Sequence, residues 1–280
     1  MLVDVHTHCL QHEHWGPEWD DNWKPVYNYE WVDVTPERYD EHMAEAGVDL
    51  AFVFGLRATK AGVLIPNQFV AKFCRETRTE TVGFMSLDLS DPDCRDQFAE
   101  GLRLGLRGVK LYPVLAHFDP RDTVHDWFYE AAAAEGLVVL WHMGASPSKA
   151  GDLRYADPML LDPVAARHPN LVQIIAHLAH PWQRETMLIC RKHPKVFTDV
   201  SASWARPFDG FHALVRAQEW SVVPKLLFGS DYPMWTVKEA VEGIRELGQM
   251  HAGGNLPRIE ESTIEQILTS DPRQALGLRG

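Results

Sequence analysis

Two histidines lie two residues apart in the run V-D-V-H-T-H near the start of the chain. In an extended strand, side chains at i and i+2 project from the same face, so His6 and His8 can both reach one metal ion. A pair of this kind also arises by chance and is weak evidence for a metal site on its own. The position of other ligand-type residues decides how the pair is interpreted.

Three further residues that can bind a metal each end a short apolar run. His142 follows L-V-V-L-W, His177 follows L-V-Q-I-I-A, and Asp231 follows K-L-L-F-G-S. Imidazole and carboxylate in this mixture suit Zn²⁺ or another borderline divalent ion, and they leave a coordination position for water. The sequence therefore predicts a metal site drawn from these five residues.

The elements that must position these side chains are short strands alternating with helices. Most of the strands are near-continuously apolar, which is typical of parallel strands covered on both faces. The eight predicted strands lie at residues 2–6, 49–55, 81–87, 107–113, 137–144, 171–177, 196–202 and 225–233. Thr35 and Pro36 begin a helix that ends near Gly47. Further helices are predicted at about 91–104, 124–135 and 237–250, and one or two more at 262–278.

Eight strands alternating with helices fit a closed (β/α)8 barrel or an open doubly wound sheet. A dinucleotide-binding open sheet should show G-x-G-x-x-G after its first strand, but this chain has T-H-C-L-Q-H there. We therefore predict an α/β protein with one TIM-barrel domain over residues 1–280. The active site of such a barrel lies at the carboxyl ends of the strands, where all five candidate residues occur.

Charge and composition exclude several functions. The chain has 27 basic and 39 acidic residues, a formal net charge of −12, which disfavours nucleic acid binding and a nuclease built on the same barrel. The four cysteines form no C-x-x-C pair, which excludes a zinc finger and favours a reducing compartment. With no basic leader and no apolar window of about 18 residues, we expect a soluble, cytoplasmic protein that does not bind membranes.

One connection is long and rich in aromatic residues. The stretch from Cys9 to Val34 follows the first predicted strand and contains the side chains Trp15, Trp19, Trp23, Tyr27, Tyr29 and Trp31. Loops of this length in compact domains are usually lids or binding loops. We expect this segment either to contact substrate or to pack on the barrel as a stabilising flap.

Several side chains near the predicted strand ends could bind a substrate. Lys110, Arg57 and Arg206 would hold an anion, since arginine recognises carboxylates with two parallel hydrogen bonds. Tyr112 and Trp235 would supply flat apolar walls. The alternatives are a lysine paired with an acid, solvated arginines, and aromatic rings that only pack at the barrel mouth.

Four motifs, D-V-H-T-H, W-H-M-G, A-H-L-A-H-P and G-S-D-Y-P, resemble the metal-dependent amidohydrolase superfamily. More narrowly, they resemble the amidohydrolase-related branch that includes aminocarboxymuconate-semialdehyde decarboxylase. The resemblance spans nearly the whole chain and implies a homodimer and one divalent ion, foremost Zn²⁺ with Mn, Fe or Co as alternatives. It implies that the ligands are His6, His8, His142 and Asp231.

The same resemblance assigns the remaining motif residues. His177 would act on substrate or water, while His180 departs from the glycine usual at its position, and we expect it to have a structural role at a helix start. Lys110 is expected to be an unmodified ammonium that faces the substrate, because one metal needs no bridging carbamate.

These residues support two reactions of a small-molecule substrate. A divalent ion polarises a carbonyl and lowers the pKa of bound water toward ~7, Asp231 can accept a proton, and His177 can donate one. We expect a hydrolase of an amide, lactone or ester, because the chain is compact. A nonoxidative decarboxylase of an aromatic or unsaturated acid is the alternative. A non-enzymatic metal-binding scaffold is disfavoured because both His177 and Asp231 are present.

Overall fold

A computed structural model describes residues 1–16, 33–250 and 257–278 of the chain. Within this part, eight strands form one parallel sheet in which each pairs with the next along the chain. We number them β1 to β8: Val3–His8, Leu50–Phe54, Glu80–Ser86, Gly108–Leu111, Val138–Trp141, Val172–Ile175, Val196–Asp199 and Leu226–Leu227. A separate two-stranded hairpin pairs Arg57–Ala58 with Val63–Leu64.

Helices connect the strands in the order predicted for a (β/α)8 barrel. We number them α1 to α9: Pro36–Ala46, Asn67–Glu76, Cys94–Arg103, Asp126–Ala134, Leu161–Arg167, Gln183–Lys192, Pro207–Glu219, Val237–Gln249 and Glu261–Thr269. The Thr35 side chain caps α1 by accepting a hydrogen bond from the N–H of Arg38, and Gly47 ends it in a left-handed conformation. A single helical turn, Pro113–Ala116, follows β4.

Residues that follow β8 join the sheet to β1. The backbone N–H of Val5 donates to the carbonyl of Phe228 at 2.9 Å, and the N–H of Asp231 donates to the carbonyl of His6 at 2.9 Å. The N–H of His8 donates to the carbonyl of Tyr232 at 2.8 Å. These bonds connect the first and last strands, so the predicted TIM barrel is confirmed.

Two apolar layers hold the barrel together. The inner layer fills the space enclosed by the strands and includes Phe52, Phe84, Leu140, Ile174 and Phe197. The larger outer layer packs the strands against the helices, with buried side chains from both. Because both faces of the strands are covered, β2 and β5 are apolar throughout rather than alternating, whereas β1, β4 and β7 carry the polar residues of the site.

The structure differs from the sequence prediction mainly at β8 and in the long connection. The predicted strand 225–233 is regular only at Leu226–Leu227, because the chain then turns toward β1 and Asp231 takes a left-handed φ of 65°. In the connection, Trp15 is buried and its backbone forms an antiparallel β-bridge with Val63. The other aromatic residues of the connection lie outside the described residues: Trp19, Trp23, Tyr27, Tyr29 and Trp31. No helix in the described ranges is long and apolar enough to span a membrane.

Candidate metal centre and active site

Three predicted ligands, His6, His8 and Asp231, come together at the carboxyl end of the barrel. Their ligand atoms lie within 4.8 Å of one another. Oδ1 of Asp231 is 3.3 Å from Nε2 of His6 and 3.4 Å from Nε2 of His8. The two imidazoles therefore present the same nitrogen to one carboxylate oxygen, and we call these residues the ligand group.

Local backbone features aim the ligand group inward. The register of β1 against β2 shifts between Asp4 and Thr7, a β-bulge of the kind that redirects side chains next to active sites. Gly229 permits close approach of the strands, because a Cβ added there would lie 2.7 Å from Cβ of His6. The left-handed φ at Asp231 then turns its carboxylate toward both histidines.

His142, the fourth predicted ligand, follows β5 beside this group. Its ring stacks on Tyr112 with centroids 5.1 Å apart and lies 5.2 Å from the ring of His177. Nε2 of His142 is buried and has no hydrogen-bond partner among the described residues. A buried polar atom without a partner is costly, and a metal ligand bond would satisfy it.

Asp199, at the end of β7, supports the ligand group and was not identified from the sequence. Its Oδ2 accepts a hydrogen bond from Nδ1 of His6 at 2.9 Å. Because this bond places the ring proton on Nδ1, His6 offers the lone pair of Nε2 to the ligand group. The only sequence signal was a carboxylate within the predicted strand 196–202, with no motif around it.

His177 lies on a strained turn after β6. His177, Leu178 and Ala179 have φ values of 55°, 53° and 49°, which residues other than glycine rarely adopt. The N–H of His177 donates to Oδ1 of Asp199 at 3.0 Å, and its Nδ1 lies 2.7 Å from Oγ of Ser201. The turn holds the His177 ring 4.5 Å from the ring of His6.

A second set of metal-competent atoms consists of His6, His177 and Asp199, also within 4.8 Å of one another. These residues already hydrogen-bond to one another or to Ser201. We therefore interpret this set as the support of the site, and the ligand group as the place where an ion would bind.

Lys110 occupies a different place from the one expected. It is fully buried, does not line the cavity described below, and places Nζ 3.4 Å from Nε2 of His6. The ammonium also lies over the rings of Phe54 and Tyr112, at 4.6 and 4.9 Å from their centroids. Lys110 therefore contacts the ligand group rather than the space open to a substrate.

Burial controls the charge of the site. It lowers the pKa of His142 to about 3 and the pKa of His6, His8 and His177 well below the ordinary value. It raises the pKa of Asp231 to about 8. Neutral imidazoles are the form that binds metals, and a cation would offset the desolvation of this carboxylate. The residues present therefore fit a divalent ion.

The ligand group opens into a cavity of about 140 Å³. His8, His142, His177 and Asp231 line it, together with Tyr112 and Trp235, the two aromatic residues that the sequence predicts there. Two cationic or polar side chains, Arg206 and His180, also line the cavity. The cavity thus combines ligand-type residues, aromatic walls and one guanidinium.

Arg57 and His180 occupy different places relative to the cavity. Arg57 does not line the cavity; its Nε donates to Oδ2 of Asp91 at 2.8 Å, so an ion pair explains it. His180 lines the cavity, and its Nδ1 accepts a hydrogen bond from Nε2 of Gln183 at 2.9 Å. Of the predicted substrate-binding residues, the structure brings Tyr112, Arg206 and Trp235 to the cavity.

Comparison with known families identifies the chain. The amidohydrolase family model matches residues 3–278, nearly the whole sequence. The chain belongs to the amidohydrolase family. A search of curated proteins gives no match.

Solved structures of similar fold include both hydrolases and decarboxylases. An uncharacterized TIM-barrel protein from Bordetella bronchiseptica has a TM-score of 0.74 at 20% identity, covering 99% of this chain and 98% of that one. A probable 2-pyrone-4,6-dicarboxylic acid hydrolase from Acinetobacter baumannii, with citric acid bound, has a TM-score of 0.69 at 14% identity, covering 99% of each chain. A 2,6-dihydroxybenzoate decarboxylase from Rhizobium has a TM-score of 0.68 at 15% identity, covering 100% and 99%. At these identities, the likeness of this chain to them is one of fold.

Proposed function

We propose that this amidohydrolase is a metal-dependent hydrolase of a small amide, lactone or ester that carries a carboxylate. One observation carries the proposal: His8 and Asp231 of the ligand group line the same cavity as His177. A substrate carbonyl in this cavity would meet a metal-binding site and a side chain that can exchange a proton.

The ion would be held by the ligand group together with His142. When bound, a divalent ion supplies Lewis-acid chemistry, polarising a carbonyl and lowering the pKa of a water toward ~7. The chain itself must take one proton from water and deliver one to the leaving group. Asp231 and His177 both line the cavity and can exchange protons with groups bound there.

Arg206 makes the cavity suitable for an anion. Arg206 has no carboxylate within ion-pair distance among the described residues, and its NH1 contacts only the carbonyl of Ala202, at 3.4 Å. A substrate carboxylate would be oriented by this guanidinium. The acid named for the Acinetobacter structure is a dicarboxylate, which supports a substrate of this class.

A nonoxidative decarboxylase of an aromatic acid is the second candidate. The observation that favours it is that two aromatic side chains, Tyr112 and Trp235, line the cavity and can pack against a flat ring. The Rhizobium decarboxylase of the same fold, whose named substrate is an aromatic acid, supports this alternative. Both candidate reactions would use the same ligand group.

The test is a substrate screen with metal-reconstituted protein. Lactones, amides, esters and aromatic acids are incubated with the enzyme, and the products are identified from their masses by mass spectrometry. Gain of one water supports the hydrolase, whereas loss of carbon dioxide overturns it in favour of the decarboxylase.

Variants connect the activity to the site. We expect His6→Ala/His8→Ala to lose both metal and turnover, while His177→Asn keeps the metal and loses at least ~10²-fold in kcat. The control His125→Asn alters a buried histidine outside the cavity and should change neither. Full metal retention by the double variant would overturn the ligand assignment.

A further inference from the structure

The hydroxyl of Ser201 contacts three functional groups of the site at once. Ser201 follows β7 and is fully buried. Its Oγ donates a hydrogen bond to Oδ1 of Asp199, lies 2.7 Å from Nδ1 of His177, and lies 3.4 Å from Nδ1 of His6. Its backbone N–H donates to the same Oδ1 of Asp199 at 3.1 Å, which fixes the residue in place.

A hydroxyl has one hydrogen to donate, and here the carboxylate takes it. An ionised carboxylate can only accept hydrogen bonds, so the hydrogen of Ser201 points to Asp199. Toward His177, the same oxygen can then act only as an acceptor. Nδ1 of His177 must therefore carry the ring proton to complete the bond at 2.7 Å.

From this chain of hydrogen bonds we propose that Ser201 is a positioning residue that sets the tautomer of His177. With the proton on Nδ1, the lone pair of His177 is on Nε2, the nitrogen on the opposite edge of a ring that lines the cavity. His177 then enters the reaction as a proton acceptor and becomes a donor only after it has taken a proton. The role of His177 in the proposed hydrolysis is thus set by Ser201, which does not itself line the cavity described above.

Asp199 links this effect to the ligand group. Its Oδ2 orients His6 through Nδ1 at 2.9 Å, while its Oδ1 orients His177 through Ser201. One carboxylate therefore makes both imidazoles carry their proton on Nδ1. Ser201 acts on the imidazole of His177, whereas Asp199 orients that of His6 directly. Removing the Ser201 hydroxyl should therefore alter the tautomer of His177 while the ligand group keeps its metal.

The first test reads the tautomer directly and needs no substrate. Full-length protein labelled with ¹⁵N-histidine is examined by two-bond ¹H–¹⁵N NMR correlation, both chelator-treated and zinc-loaded, and His177 is assigned from His177→Asn. We expect wild-type His177 to show the Nδ1–H pattern and Ser201→Ala to lose it. An Nε2–H pattern in the wild type, or an unchanged pattern in Ser201→Ala, would overturn the proposal.

The second test rests on the proposed function and uses a substrate found in the screen. Ser201→Ala should lower kcat by at least ~10-fold, as outer-shell partners do, with KM and metal content unchanged. Ser86→Ala is the matched control, because it removes a buried hydroxyl without a hydrogen-bond partner among the described residues. Unchanged kcat, or loss of metal from Ser201→Ala, would overturn the positioning role.

A cysteine variant guards against loss of folding. Ser201→Cys keeps a small side chain with an S–H donor and a weak sulfur acceptor. Recovery of the Nδ1–H pattern and of part of kcat relative to Ser201→Ala would support the assignment. If Ser201→Cys folds but recovers neither the Nδ1–H pattern nor any kcat relative to Ser201→Ala, the explanation through the acceptor atom of residue 201 is wrong. Failure of every candidate substrate would count against the proposed function, while the NMR result would still decide the role of Ser201.

Discussion

Replacing Asp199 by asparagine should weaken metal binding, although Asp199 lies outside the ligand group. The two carboxylate oxygens have different partners. Oδ1 accepts from the N–H groups of His177 and Ser201 and from the Ser201 hydroxyl. Oδ2 accepts, among the described residues, only from Nδ1 of His6. In Asp199→Asn, the amide oxygen takes the position with three donors, and the amide nitrogen faces His6.

This exchange reverses the tautomer of His6. Facing an amide N–H, Nδ1 must accept, so the ring proton moves to Nε2, the nitrogen 3.3 Å from Asp231. To bind a metal through Nε2, His6 would have to return its proton to Nδ1. The Nδ1–H group would then face the amide N–H of the new asparagine side chain, and neither donor would have an acceptor. An unsatisfied buried donor costs ~1–3 kcal/mol. That corresponds to roughly 5- to 150-fold weaker metal binding, which includes the ~10- to 100-fold typical of outer-shell partners.

The assay is zinc competition against a chelator, with metal content confirmed by elemental analysis and folding by circular dichroism. Asp4→Asn is the control: Asp4 is equally buried, but its Oδ1 accepts hydrogen bonds from the backbone N–H groups of His6 and Ser230 at 3.0 Å and none from an imidazole among the described residues. An amide oxygen can keep both bonds, so this variant should bind zinc like the wild type. Wild-type affinity in folded Asp199→Asn would refute the reasoning, and an equal loss in Asp4→Asn would assign the effect to buried charge instead.

Three further predictions concern other parts of the molecule. Lys110→Met removes a buried amine beside His6. Burial lowers the pKa of Lys110 to about 7, so its charged form opposes a metal ion most strongly below this pH. In the chelator assay at pH 6 we therefore expect Lys110→Met to bind zinc roughly tenfold more tightly than the wild type. A carbamate mass on Lys110 or two metals per chain would contradict this prediction. Arg206→Met should raise KM for a carboxylate-bearing substrate by ~10- to 100-fold and leave a neutral analogue unaffected; equal effects on both would exclude carboxylate recognition. Asp40→Asn should lower the free energy of unfolding by ~1–3 kcal/mol in urea titrations at pH 7. Although burial alone would raise the pKa of Asp40, hydrogen bonds from Thr79 and Arg78 lower it, so this stabilisation is present above the ordinary carboxyl pKa and disappears as pH falls through the folded value. A difference between Asp40→Asn and wild type that persists at low pH would refute this explanation.

The parts of the fold that depend on local pattern were predictable from the sequence. Continuous apolar runs located the strands, and Thr35 with Pro36 located the start of α1. The period of two along β1 brought His6 and His8 to one site, as the structure shows. The short β8 was not predictable, because its end depends on backbone pairing with β1 about 220 residues earlier in the chain.

The environment of single polar side chains was harder to predict. Arg57 turned out to pair with Asp91, a carboxylate 34 positions later, and no sequence pattern links the two. Lys110 was placed at the correct strand end, but whether its ammonium reaches the cavity or stops beside His6 depends on barrel packing. Asp199 and Ser201 were missed because their importance lies in hydrogen bonds to residues on other strands.

The site straddles the seam where the barrel closes, since His6 and His8 belong to β1 and Asp231 follows β8. During synthesis, the two histidines emerge early, but their carboxylate partner emerges only after most of the chain has been made. The ligand group therefore cannot assemble in a nascent chain until the eighth strand is available. A cation bound there would cross-link the two ends of the sheet, and its binding free energy would add to that of barrel closure. Truncated or incompletely folded chains would lack the ability to retain the ion, so metal occupancy would report completion of the fold.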